Sequence, residues 1–551
     1  MSKSPKNAAN YMERKIAAMY GKTDVWQNRA ARLLVILLLC VQPLFFTRDR
    51  YIRLTQHKFE FFCVCMAAVI LFALIIWLYR ITRKPRLLLQ EQPSLADWAI
   101  LGFATVTVLS ALFSPFKDQI NVWIGKPEPD GRFDGAVTQL LYVVIFLIIS
   151  RWYKPRTRDF AVFGISASLV GIIGVLQFYG MDFLKLWPND MDNYHVENFY
   201  NIFFRSTLGN VDIVSTYVCV AILLCGFLFI RMKSKWLPLW LAASALNFWL
   251  MELAGADSGR IGLLAAMFLA IPFIVENLKT LGKTLILGAS WLTVYTLQKL
   301  FYDALILKTR SVSSLALYAC VIVVLIAGGV ALMWAGRKRE RARSREPRFA
   351  NAGTSSGGDE NVKGKWLRGV IVIAVLVVAA VAGVEVLGGR AARSENPAGI
   401  IYEAREILHG NLTDEMGTNR VYIWRNALKA YPDRPIIGSG PDTFYFTFPA
   451  EAQMRYGQSY DKAHNEYIQI LICQGVLGLL CYLLFLVSAS IKSIPKAFQN
   501  PLVMAVLAAF TGYLVQAFFN ISLPIASQML WVLAGMLANK RFREASLKEL
   551  G

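Results

Sequence analysis

The chain has 551 residues, of which 56% are hydrophobic and only 17% charged, and its mean hydropathy is +0.44. This composition excludes an ordinary soluble protein and predicts a polytopic membrane protein. The formal net charge is +21. It does not predict a nucleic-acid partner, because the basic residues flank apolar runs, as membrane anchoring requires, and form no separate basic domain.

Apolar runs recur along the whole chain, and we count about 14 of them, each near the roughly 20 residues that a membrane span needs. The predicted fold class is an all-α polytopic membrane protein. It has about 12 to 14 transmembrane helices and one large outer loop that contains short amphipathic helices.

The predicted parts of the chain are, in order, a cytoplasmic N-terminal segment at 1–32, a membrane domain of about ten spans at 33–335, a basic flexible cytoplasmic loop at 336–368, a span at 369–387, the large outer loop at 388–465, further spans at 466–539 and a cytoplasmic tail at 540–551.

The placement of Lys and Arg predicts the orientation of these parts. Basic residues are more numerous in the loops that face the cytoplasm when both termini are cytoplasmic, as the positive-inside rule requires. The loop at 336–368 is rich in Arg and then in Gly, Ser and Asn, which is typical of a flexible segment beside anionic headgroups. The same orientation puts the loop at 388–465 outside.

The large loop holds a predicted amphipathic helix with Arg420 in its first turn, on the same side as Trp424. Apolar side chains recur at helical spacing along one face, at Val421, Trp424, Leu428 and Tyr431. Prolines then end the helix, and Gly438-Ser439-Gly440-Pro441 supplies a turn. His464 follows at the entrance of a long apolar run.

These motifs together carry a resemblance to a known family. The combination comprises Asn419-Arg420 with Trp424, the segment from Pro435 to Gly440, and His464-Asn465-Glu466 leading into Gly475 and Gly478. It resembles the bacterial O-antigen ligase and O-antigen polymerase superfamily, which are polytopic glycosyltransferases that use lipid-diphosphate glycans. Three segments upstream resemble the family more weakly. They are Gly125 with Arg132-Phe133-Asp134-Gly135, then Arg205-Ser206-Thr207-Leu208-Gly209-Asn210, then Ser258-Gly259-Arg260.

The sequence also departs from the family pattern. The family usually continues the Thr-x-Gly-Asn motif with Pro-Asn, whereas Val211-Asp212 follows here. Gly259 separates Ser258 from Arg260, where the family commonly has Ser-Arg directly. These departures argue against a particular member of the superfamily, but not against the resemblance to the superfamily.

The resemblance implies transfer of a glycan from an undecaprenyl-diphosphate carrier to an acceptor hydroxyl on the outer face of the plasma (inner) membrane. The implied reaction is O-antigen ligase-like and independent of metal ions, and no cofactor is expected. If the acceptor attacks opposite the departing diphosphate in one displacement, we expect the anomeric configuration to invert. The implied partners are the undecaprenyl-diphosphate-linked glycan, a lipid or glycan acceptor, and membrane lipids.

Arginine suits a diphosphate leaving group, because it is permanently charged and binds phosphate oxygens bidentately. We expect Arg420 to be catalytic, and Arg260, Arg205 and Arg132 to contact the diphosphate. The alternative for each arginine is an interfacial anchor, or an ion pair with a nearby acid such as Asp257.

His464 is the predicted general base. The positive end of the following helix and nearby arginines would lower its pKa and keep it neutral at pH 7. The alternative is an interfacial histidine that caps the helix. Asn465 is expected to cap that helix or to bind substrate, Glu466 to orient the imidazole or to complement the helix dipole, and Trp424 to support the site.

Two other functions remain open. A surface-polysaccharide polymerase of the same superfamily would use the same donor chemistry with another acceptor. A transporter or flippase for lipid-linked saccharide would also carry many spans and basic residues. Release of lipid diphosphate by the purified protein would separate an enzyme from a transporter.

Overall fold

The structure, a computed structural model, describes residues 23–83, 92–126, 131–187, 204–302, 304, 315–345, 357–393, 399–453, 455 and 459–545. Most of the predicted segment 1–32, the middle of the predicted loop 336–368 and the end of the predicted tail 540–551 lie outside the described residues.

The described chain is almost entirely helical. Its helices are α1 (residues 23–44, with a π-helical stretch at Leu37–Val41), α2 (Leu54–Arg83), α3 (Leu95–Leu112), α4 (Ala136–Trp152), α5 (Thr157–Phe178), α6 (Val211–Arg231), α7 (Leu237–Ala254), α8 (Asp257–Leu269), α9 (Ile271–Ile274), α10 (Leu278–Phe301), α11 (Leu315–Arg345), α12 (Gly357–Ala391), α13 (Ile400–Leu408), α14 (Met416–Ala430), α15 (Phe444–Thr447), α16 (Glu466–Ser490), α17 (Pro501–Gln516), α18 (Gln528–Ala538) and α19 (Lys540–Glu544). Two short strands, β1 (Phe204–Arg205) and β2 (Gly209–Asn210), pair antiparallel just before α6.

The predicted fold class is confirmed. Within the described residues, nine helices are long and apolar enough to cross a membrane, and α4 and α18 are shorter apolar helices. The three other predicted spans correspond to α1, to α8 with α9, and to α10. Pro272 stands at the junction of α8 and α9, where it interrupts the helix because its ring removes a backbone donor.

Helix α6 forms the centre of the bundle. Its most apolar stretch is 100% buried by other parts of the protein. A span at the edge of the bundle would instead leave one face exposed to lipid. It packs against α7, α8 and α17, while α3 packs against α16 and α4 against α18. The loop that precedes α6 is therefore carried on the most enclosed element of the fold.

The predicted flexible loop at 336–368 is more helical than expected. Helix α11 continues to Arg345 and α12 begins at Gly357, so only residues 346–356 between them are not described. Arg, Lys and Glu are good helix formers, and a spanning helix has no reason to end where it leaves the membrane.

Helix α16 is broken within its first half, at Gly475. Gly475 has φ 68° and ψ −174°, and the backbone of the large loop enters the gap. The N–H of Val476 donates to the carbonyl of Pro435 at 2.8 Å, and the N–H of Gly440 donates to the carbonyl of Cys473 at 2.9 Å. Backbone groups freed inside a span must find new partners, and the loop supplies them.

Helix α3 completes this arrangement from the other side. The Ser110 hydroxyl donates to the Cys473 carbonyl at 2.7 Å, and the Ser114 hydroxyl donates to the Ser439 carbonyl at 2.6 Å. The loop motif from Pro435 to Gly440 is thus fixed between two spans, which explains why it occurs together with Gly475.

Two glycines make the insertion possible. A Cβ atom on Gly438 would lie 2.3 Å from the carbonyl carbon of Cys473, and a Cβ on Gly475 would lie 2.3 Å from the carbonyl oxygen of Ile436. Both glycines also have positive φ, which residues with a side chain adopt only at a cost.

We expect Gly438→Ala to destabilise the protein by about 3 kcal/mol, because it adds a steric overlap to an unfavourable backbone conformation. The measurement is the midpoint of thermal unfolding of the purified protein in detergent. Gly383→Ala is the matched control, since a Cβ there meets nothing within 4 Å. Equal midpoints for the two variants would contradict the inserted loop.

Candidate active site

Arg420 begins the right-handed part of α14 after a left-handed turn. Gly417, Thr418 and Asn419 have φ values of 61°, 59° and 66°. Asparagine tolerates this conformation better than most residues, whereas a β-branched threonine is strained in it. The turn sets where the helix starts and therefore where the Arg420 side chain points.

Left-handed backbone recurs beside the predicted site residues. Non-glycine residues with positive φ include Phe133 (50°), Ser206 (53°), Thr418 (59°), Asn419 (66°), Asp442 (59°) and His464 (47°). Such positions cost about 1–3 kcal/mol each and cluster where function requires a fixed geometry. They adjoin Arg132, Arg205 and Arg420 and include the histidine itself.

The apolar face indicated by the helical spacing is not the buried face of α14. The buried residues are Met416, Tyr422, Ile423, Asn426, Ala427 and Ala430, whereas Leu428 is 46% exposed. The reason is the partner of the helix, which is a small cluster within the large loop and the start of α16. Aromatic side chains dominate that cluster, including Phe444, Phe448 and Tyr460.

Trp424 lies at the edge of this interface and supports the histidine. Its indole N–H donates to the carbonyl of Ala463 at 3.0 Å, and its ring contacts Phe518 and Phe519, which follow α17. Trp424 therefore fixes the backbone immediately before His464.

Arg420 is held by backbone carbonyls from two segments. Its Nε–H donates to Phe519 at 2.9 Å and its NH1 group to Gly417 at 2.8 Å, while NH2 lies 3.6 Å from Oδ1 of Asp212. A guanidinium has five N–H donors. The contacts that Arg420 makes within the described chain use only some of them, so the others are available to a ligand.

His464 lies beside the same carboxylate. Its Nδ1 atom is 3.8 Å from Oδ2 of Asp212. This nitrogen is buried and has no hydrogen-bond partner among the described residues, although 31% of the side chain is exposed. The imidazole is therefore enclosed on the Asp212 side and accessible on the other.

Asp212 thus joins the two predicted catalytic residues, and the sequence reasoning missed it. Asp212 lies in the first turn of α6, in the position where the family pattern has Pro-Asn. From the sequence alone, Val211-Asp212 in place of Pro-Asn indicates only a difference from the family. An acid at the head of an otherwise apolar span was the signal that could have identified it.

The burial of His464 favours the neutral imidazole. Burial lowers the pKa of His464, Arg420 and Arg132 lower it further, and Asp212 and Asp461 act in the opposite direction. The direction agrees with the sequence-based expectation, but the main cause is burial. At pH 7 the ring can accept a proton.

Asn465 and Glu466 have separate structural contacts. The Asn465 side chain caps α16 by accepting hydrogen bonds from the N–H groups of Tyr467 and Ile468, at 3.0 Å each. The Glu466 carboxylate accepts a hydrogen bond from the Tyr482 hydroxyl at 2.5 Å. The capping alternative for Asn465 is therefore observed, while Glu466 is held by Tyr482 of α16 and, at 3.4 Å, by the hydroxyl of Tyr513 on α17.

Arg260 pairs with acids, as the alternative interpretation expected. Its guanidinium lies 2.7 Å from Oδ1 of Asp257 and 3.1 Å from Oε2 of Glu252. Its position is nevertheless linked to the site. The Asn520 amide donates to the carbonyl of Asp212 at 2.7 Å and to the hydroxyl of Ser258 at 3.2 Å.

Arg205 and Arg132 also have protein partners. Arg205 is buried, its NH1 group donates to the carbonyl of Phe204 at 2.8 Å, and its guanidinium lies 5.4 Å from the centroid of the Phe178 ring. Arg132 forms a bidentate ion pair with Asp461, at 2.7 and 3.2 Å. Their predicted contacts with a diphosphate stay predictions.

Comparison with known proteins gives two matches. Residues 311–483 match a family model described as O-antigen ligase, and this range contains Arg420, His464 and the break in α16. This segment of the chain is therefore similar to the O-antigen ligase family. A similar relative is the exopolysaccharide production protein ExoQ of Rhizobium meliloti (strain 1021), which is 25% identical over 146 residues. The match covers 24% of this chain and 34% of the relative, about a third of the relative's length.

A buried lysine connects the segment that matches the family model to the preceding spans. Lys462 lies 2.7 Å from Oδ2 of Asp134 and 2.9 Å from Oδ1 of Asp442, and all three side chains are buried. Burial alone would lower the pKa of Lys462, but the two carboxylates raise it above its usual value. The lysine is therefore charged and fixes the backbone that leads to His464.

We expect Lys462→Met to destabilise the protein by about 3–5 kcal/mol, because it leaves two buried carboxylates without a counter-charge. The midpoint of thermal unfolding measures the effect. Lys429→Met, at an exposed lysine of the same loop, is the control. Adding Asp134→Asn and Asp442→Asn to Lys462→Met should restore much of the loss. A single Lys462→Met variant as stable as the control would contradict the assignment.

Proposed function

We propose that the protein is a membrane glycosyltransferase of polysaccharide biosynthesis. It moves a glycan from an undecaprenyl-diphosphate carrier to an acceptor hydroxyl on the outer face of the plasma membrane. The observation that carries this proposal is the convergence of Arg420 and His464 on Asp212. A cation suited to a diphosphate and a neutral base suited to a hydroxyl then share one small region.

Arg420 binds the departing diphosphate. Its NH2 group is 3.6 Å from Asp212, a loose ion pair that a dianionic ligand can replace. The two backbone carbonyls hold the guanidinium plane in place meanwhile. Preorganised donors of this kind stabilise the charge that develops on the leaving group without rearranging during the reaction.

His464 takes the proton of the acceptor hydroxyl. With Nδ1 facing Asp212, the carboxylate favours the tautomer that carries its proton on Nδ1, which leaves Nε2 to accept. The same carboxylate stabilises the imidazolium that forms. Asp212 therefore acts on both the base and the phosphate contact.

The reaction is a single displacement. The acceptor oxygen forms a bond to the anomeric carbon as its proton passes to His464, and the bond from that carbon to the phosphate oxygen breaks. The electron pair leaves with the diphosphate, which Arg420 meets. Attack opposite the leaving group inverts the anomeric configuration, and no step needs a metal ion.

A polymerase of the same chemistry is the second candidate. The relative named for exopolysaccharide production favours it, since building a polysaccharide requires a growing glycan as acceptor. Glycan length in a deletion strain separates the two forms. A ligase defect removes surface attachment of the glycan, while a polymerase defect leaves single repeat units.

We expect the purified protein to release lipid diphosphate from its donor in the presence of acceptor, also with EDTA present. His464→Ala should reduce the rate by about 10²–10⁴-fold, because the base is lost. Arg420→Lys should reduce it by about 10- to 100-fold, because the planar fork is lost. His409→Ala and Arg425→Lys, in the same loop, are the matched controls. A transporter would release no lipid diphosphate, and an unchanged rate for His464→Ala would rule out the base.

The pH dependence of kcat/KM tests the role of Asp212. Because the pKa of His464 is lowered, the acidic limb should lie below the ordinary histidine value. Asp212→Asn removes a charge that raises this pKa, so the limb should move to lower pH. Asp433→Asn, an exposed acid of the same loop, should leave it in place. A limb that stays fixed or moves to higher pH in Asp212→Asn would contradict the assignment.

A further inference from the structure

A cavity of about 630 Å³ lies between the segment that precedes α4 and the large loop. Its volume falls within the range of pockets that enclose small organic ligands. Polar and aromatic side chains line it, including Gln119, Asn121, Lys126, Arg132, Tyr445 and Asp461. Neither Arg420 nor His464 is among the lining residues, so the cavity is distinct from the diphosphate contact.

The charges of the cavity compensate each other. Arg132 is paired bidentately with Asp461. Asp442, which also lines the cavity, lies 2.9 Å from Lys462 and accepts a hydrogen bond from the backbone N–H of Lys126 at 2.7 Å. A diphosphate needs surplus cations, whereas sugar hydroxyls need donors and acceptors side by side. The lining therefore fits an uncharged, hydroxyl-rich ligand.

Tyr445 supplies an apolar face in the same cavity. Its side chain is 40% exposed, its ring packs edge-on against Phe446, and the Lys126 ammonium lies 5.7 Å from its centroid. The exposed part of this ring, beside the Lys126 ammonium, offers an apolar surface to the C–H groups of a sugar ring. The amides of Gln119 and Asn121 can bind its hydroxyls.

The cavity and the base are connected by the chain segment that leads to His464. Asp461 precedes His464 closely in the chain, and the charges of both Asp461 and Arg132 act on the imidazole. Arg420 and Asp212 reach the same imidazole from α14 and α6. A ligand in the cavity would therefore lie on the Asp461 and Arg132 side of His464, and a diphosphate on the Arg420 side.

We propose that this cavity binds the saccharide of the acceptor substrate and presents its hydroxyl to His464. The inference rests on the proposed function, because it names the substrate that one part of that site takes. It also gives Arg132 a different ligand from the diphosphate that the sequence predicted.

The first test measures saccharide binding by the full-length protein in lipid nanodiscs. The probe is the short oligosaccharide that mild acid releases from the envelope of a strain lacking this protein, and saturation-transfer NMR gives its affinity. Tyr445→Ala should weaken binding about tenfold. Tyr402→Ala, on α13 of the same loop, is the control. Arg420→Lys and added inorganic pyrophosphate should leave binding unchanged.

Three outcomes would overturn the proposal. These are no saturable binding below about 10 mM, an affinity equal in Tyr445→Ala and the wild type, and displacement of the saccharide by pyrophosphate. Steady-state kinetics then decides the substrate. Tyr445→Ala should raise the KM for the acceptor about tenfold and spare kcat and the donor KM. A change confined to the donor KM would contradict the acceptor assignment.

The two proposals can fail separately. Saccharide binding is measured without turnover. If the protein binds the oligosaccharide at Tyr445 but releases no lipid diphosphate, the proposed saccharide site stands and the proposed transferase function fails. If the Tyr445→Ala variant transfers glycan normally, the proposed transferase function stands and the cavity is not the acceptor site.

Discussion

The insertion of the large loop into the break of α16 is the constraint on which the rest of the site depends. A span interrupted at Gly475 frees backbone groups that the membrane interior cannot satisfy. The segment from Pro435 to Gly440 satisfies them with its own backbone. Because His464 immediately precedes α16 and α14 immediately precedes this segment, one set of backbone hydrogen bonds positions both halves of the candidate site.

Charge compensation is the second organising feature. Lys462 is held between two carboxylates, Arg132 is paired with Asp461, and Arg260 with two acids. Buried charges are tolerated only with such partners. Against this background the loose contact between Arg420 and Asp212 is unusual, since its 3.6 Å separation leaves the guanidinium able to change partner.

Several elements of the fold could be predicted from hydropathy and local chemistry. Apolar length indicated helices at each predicted span, and Asn465 was a recognisable helix cap. The motif around Arg420 and His464 indicated the region of the family match. The inward face of α14 could not be predicted from periodicity, because Leu428 and Tyr422 are both apolar enough and only the shape of the aromatic partner surface selects between them.

The sequence by itself determined the class of protein, the order of its spans, and the candidate arginine and histidine, since these follow from composition and from short motifs. Only the tertiary structure decided which residues act together. Asp212, Lys462 and the cavity at Tyr445 involve residues far apart in the chain, and their meeting depends on how the spans pack. Electrostatic interactions and burial act through space, so the partner of each charge is fixed by the fold and not by its neighbours in sequence.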